Sequence, residues 1–218
     1  MTTTPAKPRD AASGPRPADP SSTAPSSPWR TFGRWLVSFL GFPVGGYVAF
    51  LTIGPLESIP TALAGGALTG VVLGLAQAWA FGPTRPRSIT WVLSTAAGLA
   101  AGTALGAALT DYATDTTSLV VLGAVTGAFV GAAQGVLLIR HLRAVALAWP
   151  LVLSGTWALG WLVSEAVIGS SVDQHFYIFG SSGAIVVAVL TAPLALALAR
   201  RGSTDRPSGA ARPMGSAS

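Results

Sequence analysis

The sequence predicts an all-α fold: a polytopic membrane bundle of six transmembrane helices in three helical hairpin repeats, with the N- and C-termini cytoplasmic. Three observations predict it. Half of the 218 residues are hydrophobic and a tenth are charged, against roughly 25% charged in a soluble domain. Residues 66–77 read GALTGVVLGLAQ and residues 123–134 read GAVTGAFVGAAQ, with seven of twelve positions identical and the copies 57 residues apart. All thirteen basic residues fall on one side of a six-helix path through the chain.

Residues 1–28 are rich in Pro, Ser, Thr and Ala and lack the apolar core of a signal peptide. They read as a disordered cytoplasmic tail, because they bury too little apolar surface to offset the entropy of ordering. A P-x-x-P string, Pro25-Ser26-Ser27-Pro28, carries little weight in so proline-rich a stretch. The membrane domain is expected over residues 29–201, with helices at about 35–55, 60–82, 90–110, 118–139, 145–168 and 176–199. Each run is about 20 residues, enough to cross roughly 30 Å of hydrocarbon at 1.5 Å per residue. Helices are required, since a lipid-exposed backbone must satisfy its own hydrogen bonds. The runs are continuous, without the alternation of a barrel strand. Pro43 with Gly45 and Gly46 interrupts the first helix, and Pro193 the last. Ser58 before Pro60 caps the second helix, and Asp115 before Thr116-Thr117-Ser118 caps the fourth. Residues 202–218 form a second disordered cytoplasmic tail.

Charge sets the orientation. Lys7, Arg9, Arg16, Arg30 and Arg34 precede the first helix. Arg85 and Arg87 separate the second from the third, Arg140 and Arg143 the fourth from the fifth, and Arg200, Arg201, Arg206 and Arg212 follow the sixth. The opposite turns carry Glu57, Asp111, Asp115 and Asp173, with Glu165 at a helix end. The positive-inside rule places the basic side in the cytoplasm. The excess of arginine over lysine, with abundant Ala and Gly, points to a GC-rich bacterial genome, hence to a bacterial plasma membrane. The expected partners are the bilayer, anionic lipid at the cytoplasmic face at about 1 kcal/mol per exposed Arg, and a second copy or another membrane protein. The basic balance follows from topology and does not imply nucleic acid.

The repeat carries packing information. Gly66, Gly70, Gly74 and Gln77 point to about 0°, 40°, 80° and 20° around a helix, a single narrow stripe. Gly123, Gly127, Gly131 and Gln134 repeat it. Such stripes let backbones approach closely in lipid, where no hydrophobic drive brings helices together. The odd helices begin with Trp35, Trp91 and Trp149, and eleven residues later carry Gly46, Gly102 and Gly160. With each tryptophan anchored at the inner interface, eleven residues, about 16.5 Å, place each glycine near the midplane. The third even helix, around Gly183-Ala184, is degenerate and lacks the glutamine. A two-helix unit starts and ends on the same side, so its repeats are parallel, around a pseudo-threefold axis along the membrane normal.

The string G-x3-G-x3-G-x2-Q, followed by a basic loop and a Trp-led glycine-rich helix, resembles a loose group of uncharacterised bacterial multi-pass membrane proteins. Their motif often continues as Gln-Trp-x-x-Leu-Arg. Here Gln77-Ala78-Trp79 and Gln134-Gly135-Val136-Leu137-Leu138 match in part. The resemblance covers about residues 35–165. It implies shared architecture and carries no activity.

Chemistry at membrane depth is sparse. There is no cysteine, which excludes disulfides, thiolate catalysis and cysteine metal sites. Gln77 and Gln134 admit two readings: clamps between helices, or a polar ring around a permeation path. Glu165 is the main intramembrane ionisable candidate, facing either a cavity or the outer headgroups. Asp173 and His175 are near it in sequence, without a ligand spacing that would specify a metal. Gly180-Ser181-Ser182-Gly183 matches the G-x-S-G of rhomboid proteases, but no histidine follows it to act as base. The segment reads better as small-residue packing. No enzyme activity, cofactor or metal is expected. The sequence points to a structural or accessory membrane subunit packed through glycine stripes. The alternative is a small-solute or ion transporter or channel with Gln77, Gln134 and Glu165 near its path.

Overall fold

A computed structural model describes residues 28–82, 88–140, 142–168 and 181–204. Among them every regular element is an α-helix: α1 (Pro28–Ser38), α2 (Gly41–Ile53), α3 (Ile59–Phe81), α4 (Ser88–Leu109), α5 (Thr116–Leu138), α6 (Arg143–Ile168) and α7 (Ser181–Thr204). Five segments are long and apolar enough to cross a membrane, with α1 and α2 together counting as one, Pro28–Ile53. α7 carries a shorter apolar run, Ser182–Leu198. The chain is thus built as a multi-pass membrane protein. Both predicted tails up to residue 27 and from 205, the arginines Arg85 and Arg87, the Asp173–His175 pair and residues 176–180 of the sixth predicted helix lie outside the described residues.

Two predicted boundaries need correction. The first helix begins at Pro28, seven residues before the predicted start at 35, because Trp29 to Arg34 continue the helix beyond the apolar run. The last helix runs through to Thr204, past the start of the tail predicted from 202.

Pro43 breaks the first span, but the break lies one turn upstream of it. A proline ring clashes with the carbonyl four residues back and offers no N–H to it, and that residue is Phe39. The helix ends at Ser38 and restarts at Gly41. The Phe39 carbonyl is instead taken by the Phe42 N–H at 3.0 Å. α7 passes Pro193, and α6 passes Pro150, as continuous helices.

The helix ends are capped as the sequence predicts. The Ser58 hydroxyl accepts from the Thr61 N–H while Thr61 reaches back to the Ser58 N–H, a capping box with Pro60 in the first turn. Asp115 accepts from the Thr117 and Ser118 amides at 3.0 and 3.1 Å. The Ser118 hydroxyl, and then these amides, hold the Asp115 carboxyl below its usual value. A lowered folded-state pKa stabilises the fold at pH above the unfolded value of about 3.9, and that contribution is lost as pH falls through the folded value. Amide exchange at Thr117 and Ser118 is therefore expected to become faster relative to its intrinsic rate on acidification below about pH 4. In Asp115→Ala it is expected to be fast throughout and to lack this step. α4 ends with the Tyr112 N–H on the Ala107 carbonyl at 2.8 Å and the Asp111 N–H on that of Ala108. Asp111 takes the left-handed position, φ 49°, that closes such a turn.

From α2 onward consecutive helices pack in chain order, and those from α2 to α6 run antiparallel. Positions along one helix meet descending positions on the next: Gly66, Gly70 and Gly74 face Leu99, Ala96 and Val92. α1 packs on both α3 and α7, so the last helix returns to the first and closes the bundle. One end carries Arg30, Arg34, Arg140, Arg143 and Arg200; the other carries Glu57, Asp111 and Asp115. At the basic end Arg34 stacks 4.6 Å over the Trp79 ring and donates to the Trp79 carbonyl. It places a cation at the C-terminus of α3, where the helix dipole favours one.

Candidate functional site: an amide and indole layer beneath a cavity

The stripe glycines sit where helix backbones nearly touch. A Cβ at Gly70 would lie 2.5 Å from Ala96 Cα, one at Gly66 2.6 Å from the Leu99 carbonyl oxygen, and one at Gly74 2.8 Å from Val92 Cα. On α5, Gly127 lies against Leu153, Gly131 against Pro150 and Gly123 against Trp157 and Trp161 of α6. Both predicted stripes thus face the helix that follows across the basic-end turn. The midplane glycines divide. Gly102 packs on Thr126, and the Gly160 carbonyl meets Gly183 of α7, whereas Gly46 lines a cavity. α2 and α4 carry stripes of which the sequence reading names only Gly102 as part of the contact: Gly98, Gly102 and Gly106 of α4 face Val130, Thr126 and Leu122, and Gly41 and Gly45 of α2 face α3. The same four-residue spacing, legible at 98–106, was the available signal.

The two glutamines come together inside the bundle. Gln77 is 4% exposed and Gln134 is 2% exposed. Trp91 donates its indole N–H to Gln77 Oε1 at 2.9 Å, and Trp149 donates to Gln134 Oε1 at the same distance. Gln134 Nε2 donates to Thr95 Oγ1 at 2.9 Å and to Gln77 Oε1 at 3.4 Å. Thr95 in turn donates to the Trp91 carbonyl. A third tryptophan follows the pattern: Trp35 donates at 3.1 Å to Thr191 Oγ1 of α7. Thr191 lies 57 residues beyond Gln134, the step that separates Gln77 from Gln134. The glutamine missing from the third even helix is thus replaced by a threonine that still accepts from an indole.

This corrects the expected place of the tryptophans. Trp35, Trp91 and Trp149 do not anchor at the lipid interface; they are buried at 1%, 0% and 4% exposure. Aromatic enrichment at the interface gives a residue's depth along the normal and says nothing of which face it takes. An amide one helical hairpin away gives the indole N–H a partner that lipid cannot. Trp29 and Trp79 are the exposed tryptophans at this end. Phe81 sits between Trp35 and Trp91, with ring centroids at 5.1 and 4.9 Å, and fills the space beside the layer with apolar contact.

Towards the acidic end the bundle opens into a cavity of ≈ 40 Å³. Phe42, Phe50, Trp157 and Trp161 supply aromatic walls, and Thr69, Thr103 and Thr126 supply polar ones. Phe42 and Trp157 meet edge to face at 5.3 Å. Glu165 joins neither this cavity nor the amide layer. It is half-buried, about 24 Å along α6 from Trp149, and one of its carboxylate oxygens is buried without a hydrogen bond among the described residues. No group of three or more His, Cys, Asp or Glu side chains able to hold a metal occurs among the described residues. Compared with protein-family models, curated proteins and solved structures, the chain matches none.

Proposed function

We propose that this protein is a non-enzymatic, six-pass membrane subunit with a structural or accessory role, built from three helical hairpins and oriented with its basic end in the cytoplasm. One observation carries the reading. The glutamines at membrane depth direct their hydrogen bonds at each other and at Trp91, Trp149 and Thr95, away from any open path. Such bonds are worth about 0.6 kcal/mol each on average and up to about 1.7 between membrane helices, so the layer acts as a clamp across α3, α4, α5 and α6. The recurrence of an indole donor at each hairpin supports the three-unit description. The sidedness of the arginines supports the orientation.

The rival reading is a transporter or channel with Gln77, Gln134 and Glu165 along its path. It gains no support from geometry in which the amides close the bundle and Glu165 stands apart. The native chain has no cysteine, so single cysteines at positions 77, 134 and 165 can be probed in membranes with a water-soluble thiol reagent. The clamp predicts no modification of Gln77→Cys or Gln134→Cys. Ready modification of both would overturn it in favour of a path. The partners this role implies are the bilayer, anionic headgroups at the basic end, and a second copy or another membrane protein.

A further inference from the structure

Threonines in apolar helices ordinarily satisfy their own hydroxyls by donating to a carbonyl three or four residues back. Thr52, Thr95, Thr110, Thr156 and Thr191 all do so here. Thr126, in the middle of α5, does not. Its side chain is 4% exposed, and its Oγ1 is buried with no hydrogen-bond partner among the described residues. It lines the cavity. An unanswered hydroxyl in apolar surroundings is costly, and this one has forgone the own-helix bond that the other threonines make.

We propose that the cavity is a binding site for a small neutral molecule bearing a hydroxyl or carbonyl, entered from the acidic end and terminating at Thr126. The lining fixes the ligand class. No charged side chain contributes to it, so it offers no counter-charge to an ion. Its walls are aromatic and aliphatic side chains with glycine backbone, which suit uncharged surfaces, and the buried, unpartnered hydroxyl of Thr126 is the group assigned to the ligand's hydrogen bond. The space of ≈ 40 Å³ admits about three waters at roughly 10–15 Å³ each, which suits water or an alcohol of a few heavy atoms. Phe50, Gly54 and Leu56, at the end of α2 and in the turn before α3, form the mouth. Gln134, about 12 Å further along α5, is held in the closed amide layer, so the site is a dead end. The proposal does not depend on the structural role argued above, because it concerns the acidic half alone.

Thr126→Cys in the full chain, reconstituted in vesicles, tests it with the small neutral reagent methyl methanethiosulfonate. Thiol reactivity follows exposure and ionisation, so the Thr126→Cys thiol is expected to react at least about tenfold faster than that of Thr95→Cys in the amide layer. Reaction no faster than Thr95→Cys overturns the site. Added 1-propanol separates the occupants: slowing at position 126 but not in Ser118→Cys assigns the alcohol class, and no slowing alongside fast reaction assigns water. Thr126→Val, which keeps the shape and removes the hydroxyl, gives an independent reading. A thermal midpoint at or below wild type supports an occupied hydroxyl, and a raised midpoint, the result for a dry orphan, overturns it.

Discussion

Gly127→Leu is expected to lose most of its folded protein in detergent, by size-exclusion recovery and thermal midpoint. Even a methyl group at this position would lie 2.7 Å from the Leu153 carbonyl carbon and 3.0 Å from Ser154 Cα. Both are backbone atoms, so no side chain can swing aside and α5 and α6 must separate. Overpacking of a core costs about 1–3 kcal/mol and occasionally more. A full leucine against a helix backbone belongs at or beyond the upper end, a large share of a total stability of about 5–15 kcal/mol. Gly70→Leu is expected to behave alike, since its neighbour is Ala96 backbone. Gly155→Leu is the matched control on α6: Gly155 is exposed, and a Cβ there meets nothing within 4 Å. Equal losses at positions 127 and 155 would remove the case for stripe packing.

The second large effect is expected at Gln134. Leucine there removes the acceptor of the Trp149 indole and the donor to Thr95 and Gln77 at once. Three membrane hydrogen bonds at about 0.6–1.7 kcal/mol each give a loss of roughly 2–5 kcal/mol. Gln77→Leu removes the acceptor of Trp91 and of Gln134 and is expected to cost less. The double variant is expected to cost less than the sum of the two, because they share a bond, with a coupling of about 0.5–3 kcal/mol by equilibrium unfolding. Additivity within about 0.3–0.5 kcal/mol would mean that the two amides act independently and that the layer is not one unit.

Much of this arrangement was legible in the sequence because it follows from local rules. Apolar run length located the spans, Ser58 and Asp115 announced their caps through side chains that accept from the next turn, and four-residue glycine spacing located the faces that touch. What escaped was pairing between helices. Gln77 and Trp91 are 14 residues apart, Gln134 and Trp149 are 15 apart, and each pair straddles a basic-end turn, so an antiparallel hairpin brings them level. The clue was present, but the interface rule for tryptophan competes with it, and only three-dimensional packing decides whether an indole faces lipid or an amide. Gly46 went astray in a similar way. Its neighbour Gly45 takes the contact with α3, and the broken first span leaves Gly46 at the cavity.

The bond between Trp35 and Thr191 bears on the order in which the protein assembles. The other two indole bonds close chain segments of 14 and 15 residues, whereas this one closes 156. Loop-closure entropy rises by about 0.6 kcal/mol per doubling of length, so a tenfold longer segment costs about 2 kcal/mol more to close. This costliest closure is held by a hydroxyl, where the cheaper ones are held by carboxamides. It also waits for α7, which follows all of α1 to α6 in the chain. The contact of α1 with α7 is therefore expected to be the first seam to open, and hydrogen exchange is expected to register α7 as less protected than α3 to α6.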